Sequence, residues 1–301
     1  MKLYEDKNLF IKLIDETSKN TKISKSLIEK DYYVTLVLKY LSKNVEHLIF
    51  KGGTSLSKCH KIINRFSEDI DLTLDHNYWT VGPKKNFKKN IVECCNQYGL
   101  HLTNFNDIRS RRDYNLYIID FPIIFSSFLI TPNLQVETTY ISKAYPFENC
   151  KCSSIIYDYL KEINRSDIIE MYELEPFDIK VQALEKTFVD KAFAICDYKM
   201  RNLVERNSRH IYDLNRLLTR VEINEDLKKL FNEVRIERII NPRCYSASKE
   251  VNINEILSEI ISSDFFKEDF NKLTKNLLYN TIKYEDTIET LKYIINSGLC
   301  I

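Results

Sequence analysis

The stretch from Phe50 to Leu74, FKGGTSLSKCHKIINRFSEDIDLTL, constrains this chain more than any other. The 301 residues hold only five glycines, and two of them, Gly52 and Gly53, stand side by side here. Glycine admits backbone conformations and close approaches that other residues resist. A doubled glycine in a glycine-poor chain therefore marks a turn with a geometric demand. His47 to Phe50 reads as a short strand, and Thr54 to Ile63 reads as a helix with Leu56, Cys59, Ile62 and Ile63 apolar or small. The pair then lies at a strand-to-helix turn. Free N–H groups at a helix start favour phosphate, and the hydroxyls of Thr54 and Ser55 can cap the turn or touch phosphate.

The second half of the stretch, Ser67-Glu68-Asp69-Ile70-Asp71-Leu72, alternates like a strand. Residues two apart on a strand point to one face, so Asp69 and Asp71 project together while Ile70, Leu72 and Leu74 turn to a core. Neighbouring carboxylates repel unless a cation lies between them, and oxygen ligands of this kind suit Mg²⁺ or Mn²⁺. Either half alone reads as a tight turn or as a strand with two solvated aspartates. Joined by one helix and a short turn, a phosphate cradle and an Asp-x-Asp strand can hold a metal-bound nucleoside triphosphate.

The stretch resembles the nucleotidyltransferase signature of the polymerase-β-like superfamily, Gly-Gly/Ser followed about a dozen residues later by Asp-hydrophobic-Asp. The fuller wording, Lys51-Gly-Gly-Thr-Ser-Leu-Ser-Lys58 and Arg65-Phe-Ser-Glu-Asp-Ile-Asp-Leu72, is similar to the AbiEii/AbiGii toxin family within it. Agreement extends to Glu29-Lys30-Asp31-Tyr32, to Lys191 and to Ser208-Arg-His-Ile-Tyr-Asp213. It covers residues 28–41, 50–74 and 183–218. The resemblance implies transfer of a nucleoside monophosphate from an NTP to a hydroxyl, with pyrophosphate released. It also implies the toxin of a toxin–antitoxin or phage-defence system, with a cognate antitoxin protein as partner and the tRNA 3′ end as acceptor. Lys191 and Asp213 are then catalytic beside the metal-holding Asp69 and Asp71. Gly52, Gly53, Thr54, Ser55 and Lys58 bind nucleotide, and Glu137 is the best-placed third carboxylate for the metal.

The residues themselves leave plainer alternatives. Lys191 interrupts the apolar stripe Leu184, Phe188, Ile195, so it either snorkels to water or meets an anion. Asp213 can pair with Arg209 at i,i+4. Glu137 can be an exposed strand glutamate. Nucleotidylation of a protein, modification of a small molecule and non-catalytic nucleotide binding also remain open as functions.

A net charge of +1 gives no global electrostatic footprint for nucleic acid. Local basic groups are Lys84 to Lys89, Arg109 to Arg112, and the set Arg235, Arg238 and Arg243. The eight cysteines match neither a zinc spacing nor a compact disulfide framework, which suits a reduced, cytoplasmic chain. No window is apolar enough to span a membrane. Helices are expected at 5–19, 28–41, 84–97, from 175 to about 199, and at 225–240, 253–262, 264–279 and 284–296. Gly82-Pro83 is expected to form a turn, and strands are expected at 101–105, 114–121 and 134–141. The expected class is α/β. A mixed-sheet nucleotidyltransferase domain with N-terminal helices occupies 1–150, and a mostly helical half, 151–301, completes the active-site cleft. Residues 222–301 match no motif.

Overall fold

A computed structural model describes residues 1–127, 130–280 and 282–300. The chain divides into two compact units. The first comprises Met1–Lys61, Phe66–Lys143 and Phe147–Val181; the second comprises Ile62–Arg65, Ala144–Pro146 and Gln182–Ile301.

The first unit is built on a mixed sheet. Its strands are β1 (Leu48–Lys51), β2 (Asp69–Leu74), β3 (His101–Leu102), β4 (Tyr114–Asp120), β5 (Leu134–Thr139), β6 (Phe147–Cys152) and β7 (Phe177–Gln182), in the order β3-β4-β5-β2-β1-β7-β6. β2 runs antiparallel to β1 and parallel to β5. Alternation sets the faces: Ile70 and Leu72 of β2 and Val136 of β5 are fully buried, and Ile70 pairs with Val136 across the ladder. Helices α1 (Lys7–Thr21), α2 (Lys25–Asn44) and α4 (Val81–Tyr98) add Phe10, Ile14, Val37, Leu38, Phe87 and Ile91 to the same core. The sheet extends past residue 150, since β6 and β7 belong to it.

Two local expectations are corrected here. The segment Phe177–Gln182, FDIKVQ, is a strand rather than the start of the following helix. Its alternation of Phe177, Ile179 and Val181 with Asp178 and Lys180 is the strand period. Gly82 and Pro83 lie inside the first turn of α4, where proline gives up an N–H that has no helical partner in any case. Gly99, with φ +62°, ends α4.

The second unit is helical. It contains α7 (Leu184–Met200), α8 (Arg209–Leu217), α9 (Glu225–Arg238) and α10 (Ile253–Ser262), numbered after α3 (Gly52–Lys58), α5 (Ile155–Glu162) and α6 (Ser166–Met171) of the first unit. A broken helical run from Lys267 to Leu277 and the last helix, Tyr284–Asn296, complete it. Phe188, Phe193, Leu214, Leu217, Leu257, Leu291 and Ile294 are fully buried. Phe193 of α7 stacks on Phe231 of α9 with centroids 4.6 Å apart. Among the described residues no helix is long and apolar enough to cross a membrane.

Candidate active site

The turn between β1 and α3 is where the glycine pair acts. Gly52 has φ +77°, and a Cβ built on it would stand 1.9 Å from Asp71 Oδ2 and 2.7 Å from its Cγ. The glycine is required twice, once for the backbone conformation and once for the space the Asp71 carboxylate occupies. The helix that follows is shorter than its apolar pattern suggests, ending at Lys58 rather than Ile63.

Strand register collects the acidic groups. Asp71 is paired with Glu137 of β5 on one side and with Lys51 of β1 on the other. Cross-strand partners project to the same face, so Glu137, Asp71 and Lys51 form one row across β5, β2 and β1, with Asp69 two residues away on that face. Tyr114 of β4 senses the charge of these carboxylates. Its phenol is pushed up to about 12, first by burial and then by the charges of Glu137 and Asp71, a hydrogen bond with Glu137 and the charge of Asp69. A face that carries three hard carboxylates fits a divalent cation such as Mg²⁺, which takes oxygen ligands.

Side chains around the turn are committed to holding it. Thr54 is buried, and its hydroxyl donates to the Asp69 carbonyl at 2.5 Å. Ser55, also buried, donates to the Gly52 carbonyl at 2.8 Å. Lys58 is buried against the Asp31 carboxylate, which also accepts from the backbone N–H of Ile155 at 2.8 Å. Gly53 follows Gly52 in the first turn of α3.

The start of α2 supplies a second support. Lys30 is only 1% exposed, and its ammonium donates to Glu68 Oε2 at 2.7 Å and to Thr131 Oγ1 at 2.7 Å. Burial lowers the Lys30 pKa against the opposing pull of Glu68 and Asp69. Burial alone would raise Glu68, but Lys30 and Thr131 outweigh it and leave that carboxyl below its ordinary value. The next residue after Glu68 is Asp69, so this buried pair fixes the entry of β2. Glu29 accepts from the N–H groups of Ile124 and Phe125 at 2.8 and 2.9 Å.

In the second unit Lys191 and Asp213 meet. The Lys191 ammonium donates to Asp213 Oδ2 at 2.6 Å, so it meets an anion and does not snorkel to water. Arg65 grips the same carboxylate in a bidentate fashion, Nε to Oδ1 and Nη2 to Oδ2, both 2.7 Å. Asp213 is fully buried. Burial would raise its pKa, but the Arg65 and Lys191 charges win and hold it far below the usual carboxylate range. Burial and the cations Lys191 and Arg209 push the His210 imidazole, 3.4 Å from the Lys191 ammonium, well below its ordinary value. Ser208 precedes α8 without a side-chain cap; its hydroxyl is bonded to Thr274 Oγ1 at 2.6 Å instead.

Lys51 and Arg65 stand in the motif segments read from the sequence but are given no role there, and Tyr114 is not singled out. Strand register places Lys51 and Tyr114, and tertiary packing places Arg65. Conversely, the expected basic sets are largely consumed internally. Arg235 donates to the carbonyls of Ala247, Ser248 and Val251, and Arg238 pairs with Asp190 and Asp197. Lys84 pairs with Asp113 and lies 4.4 Å from the Tyr140 ring centroid.

Comparison with known proteins identifies the class of chemistry. The family described as "Nucleotidyl transferase AbiEii toxin, Type IV TA system" matches residues 37–291. The protein is thus a nucleotidyltransferase. It belongs to the AbiEii family, the nucleotidyltransferase toxins of type IV toxin–antitoxin systems, which implies an NTP substrate and an antitoxin partner. Among solved structures it is similar to MenT4, a nucleotidyltransferase toxin from Mycobacterium tuberculosis, with a TM-score of 0.62 and 17% identity, over 94% of this chain and 88% of that one. At that identity the likeness shows a shared fold. Comparison with curated proteins finds no match.

Proposed function

We propose that this toxin transfers a nucleoside monophosphate from an NTP to the 3′-terminal hydroxyl of tRNA, with Mg²⁺ held by Asp69, Asp71 and Glu137. One observation carries the metal-dependent transfer, the in-register row of Asp71 and Glu137 beside Asp69, with Gly52 shaped to receive the Asp71 carboxylate; the tRNA acceptor rests on the family resemblance. The bound ion would screen the phosphates and sharpen the α-phosphorus as an electrophile. The acceptor hydroxyl attacks the α-phosphorus and gives its proton to solvent, the bond to the bridging oxygen breaks, and pyrophosphate leaves.

The chain's own groups divide that work. Thr54, Ser55 and Lys58 already use their polar atoms within the protein. Their part in nucleotide binding is to shape the turn, and phosphate contact falls to the backbone N–H groups around Gly52 and Gly53. Lys191 offsets charge on the departing phosphates, Asp213 orients Lys191, and Arg65 positions Asp213. A role in phage defence is proposed on the family resemblance alone.

The test is label transfer. Purified protein, Mg²⁺ and each α-labelled NTP are incubated with total tRNA. Label is expected on the tRNA and absent with Asp69→Ala or Asp71→Ala, each melting close to the wild type. Chelation should remove activity, and added Mg²⁺ or Mn²⁺ should restore it. Label on protein would replace the tRNA assignment with nucleotidylation of a protein. Full activity of either aspartate variant would overturn the metal assignment.

A further inference from the structure

The far end of α3 meets β6 through three side chains of a different character. His60 lies just beyond α3, its backbone N–H bonded to the Ser55 carbonyl at 3.2 Å and its side chain only 6% exposed. Glu148 and Cys150 are two residues apart on β6, so both face the same way. His60 Nδ1 is 3.6 Å from Glu148 Oε1. One ligand atom from each of His60, Glu148 and Cys150 lies within 4.8 Å of the other two. The setting is rich in sulfur: Cys59 precedes His60, and Cys152 lies two residues beyond Cys150 on β6.

We propose that His60, Glu148 and Cys150 bind one zinc ion, with water in the fourth position. In a tetrahedral site with bonds of about 2.0 Å to nitrogen and oxygen and about 2.3 Å to sulfur, ligand atoms lie roughly 3.3–3.7 Å apart. The three donors therefore stand within about an ångström of ligation, which small side-chain rotations supply. An imidazole, a thiolate and a carboxylate form a borderline donor set that selects zinc over Mg²⁺. This separates the site chemically from the all-oxygen face of Asp69, Asp71 and Glu137. On binding, the Cys150 thiol gives its proton to solvent and its sulfur to the metal. The ion would tie the end of α3, whose other end carries Gly52 and Gly53, to β6.

The test uses the full chain without a polyhistidine tag, kept reduced, stripped with chelator and titrated with Co²⁺. A sulfur-to-cobalt charge-transfer band saturating at one equivalent, and displaced by Zn²⁺, is expected. Cys150→Ser should abolish the band. Glu148→Gln, at a half-exposed position that the fold tolerates, should weaken binding tenfold or more. Asp71→Asn should leave the band intact, so failure here and failure of the transferase reading are read separately. No band in the wild type, or a band that survives Cys150→Ser, would overturn the proposal.

Discussion

At the residue scale, Gly52 and His210 carry the sharpest expectations. Gly52→Ala places a methyl group where Asp71 Oδ2 lies and forces φ +77° on a residue with a Cβ. The backbone alone costs about 1–2 kcal/mol, and displacing Asp71 by about an ångström should lower transfer by roughly a hundredfold. Gly82→Ala, with nothing within 4 Å of the added carbon, is the control and should melt no lower than the wild type. Thermal melts and pyrophosphate release check both. His210 is held neutral in the fold, so below its ordinary value of 6.5 the unfolded chain takes a proton that the folded chain refuses. Stability therefore falls as pH drops through that value, and His210→Gln should flatten melting temperature between pH 7 and 5. Asp213, whose folded value is depressed, acts lower. Its contribution is present above 3.8 and is lost as pH falls below that toward its folded value.

At the element scale, α2 acts as a brace for β2 and β5. Lys30 reaches both Glu68, at the entry of β2, and Thr131, ahead of β5. Removing one charge leaves the other buried, which costs about 3–5 kcal/mol, whereas replacing both with matched neutral groups often costs far less. Glu68→Gln should therefore lower stability strongly, and the double variant Lys30→Met with Glu68→Gln should recover most of the loss. Urea denaturation of both singles and the double measures the coupling. An additive cycle would mean that the pair does not brace the strands. α3 illustrates the opposite limit: it is short because Cys59 to Glu68 must return the chain to β2, and that connection overrides an apolar pattern that runs on to Ile63.

At the scale of the whole molecule, charge is nearly balanced at +1, and the basic runs largely serve internal bonds. Arg235 and Arg238 hold backbone carbonyls and aspartates of the second unit. Lys88 sits 3.9 Å from the Phe105 ring centroid and donates to the Phe105 and Ile108 carbonyls. An RNA acceptor should then be held through few phosphates. The slope of log affinity against log salt, measured with the preferred tRNA, is expected no steeper than about −3. A slope near −8 would reveal an extended basic surface and overturn this expectation.

The sequence by itself determined the site's vocabulary. Alternation put Asp69 and Asp71 on one strand face, the scarcity of glycine marked the turn at Gly52, and the broken stripe of α7 singled out Lys191. These features are legible because strand and helix periods are local properties of the backbone. The short helices of the C-terminal third were legible for the same reason, although no motif gave them a role. Tertiary structure decided which of these groups meet. The pairing of Asp71 with both Glu137 and Lys51 depends on strand order, and no local pattern encodes which strand lies beside which. Asp213 gained its buried grip on Lys191 because Arg65, a residue 148 positions away, packs against the same carboxylate. Long-range packing also set Lys58, Arg235 and Arg238 against partners within the protein. Burying a charge requires a partner, and only the folded chain determines which partner is within reach.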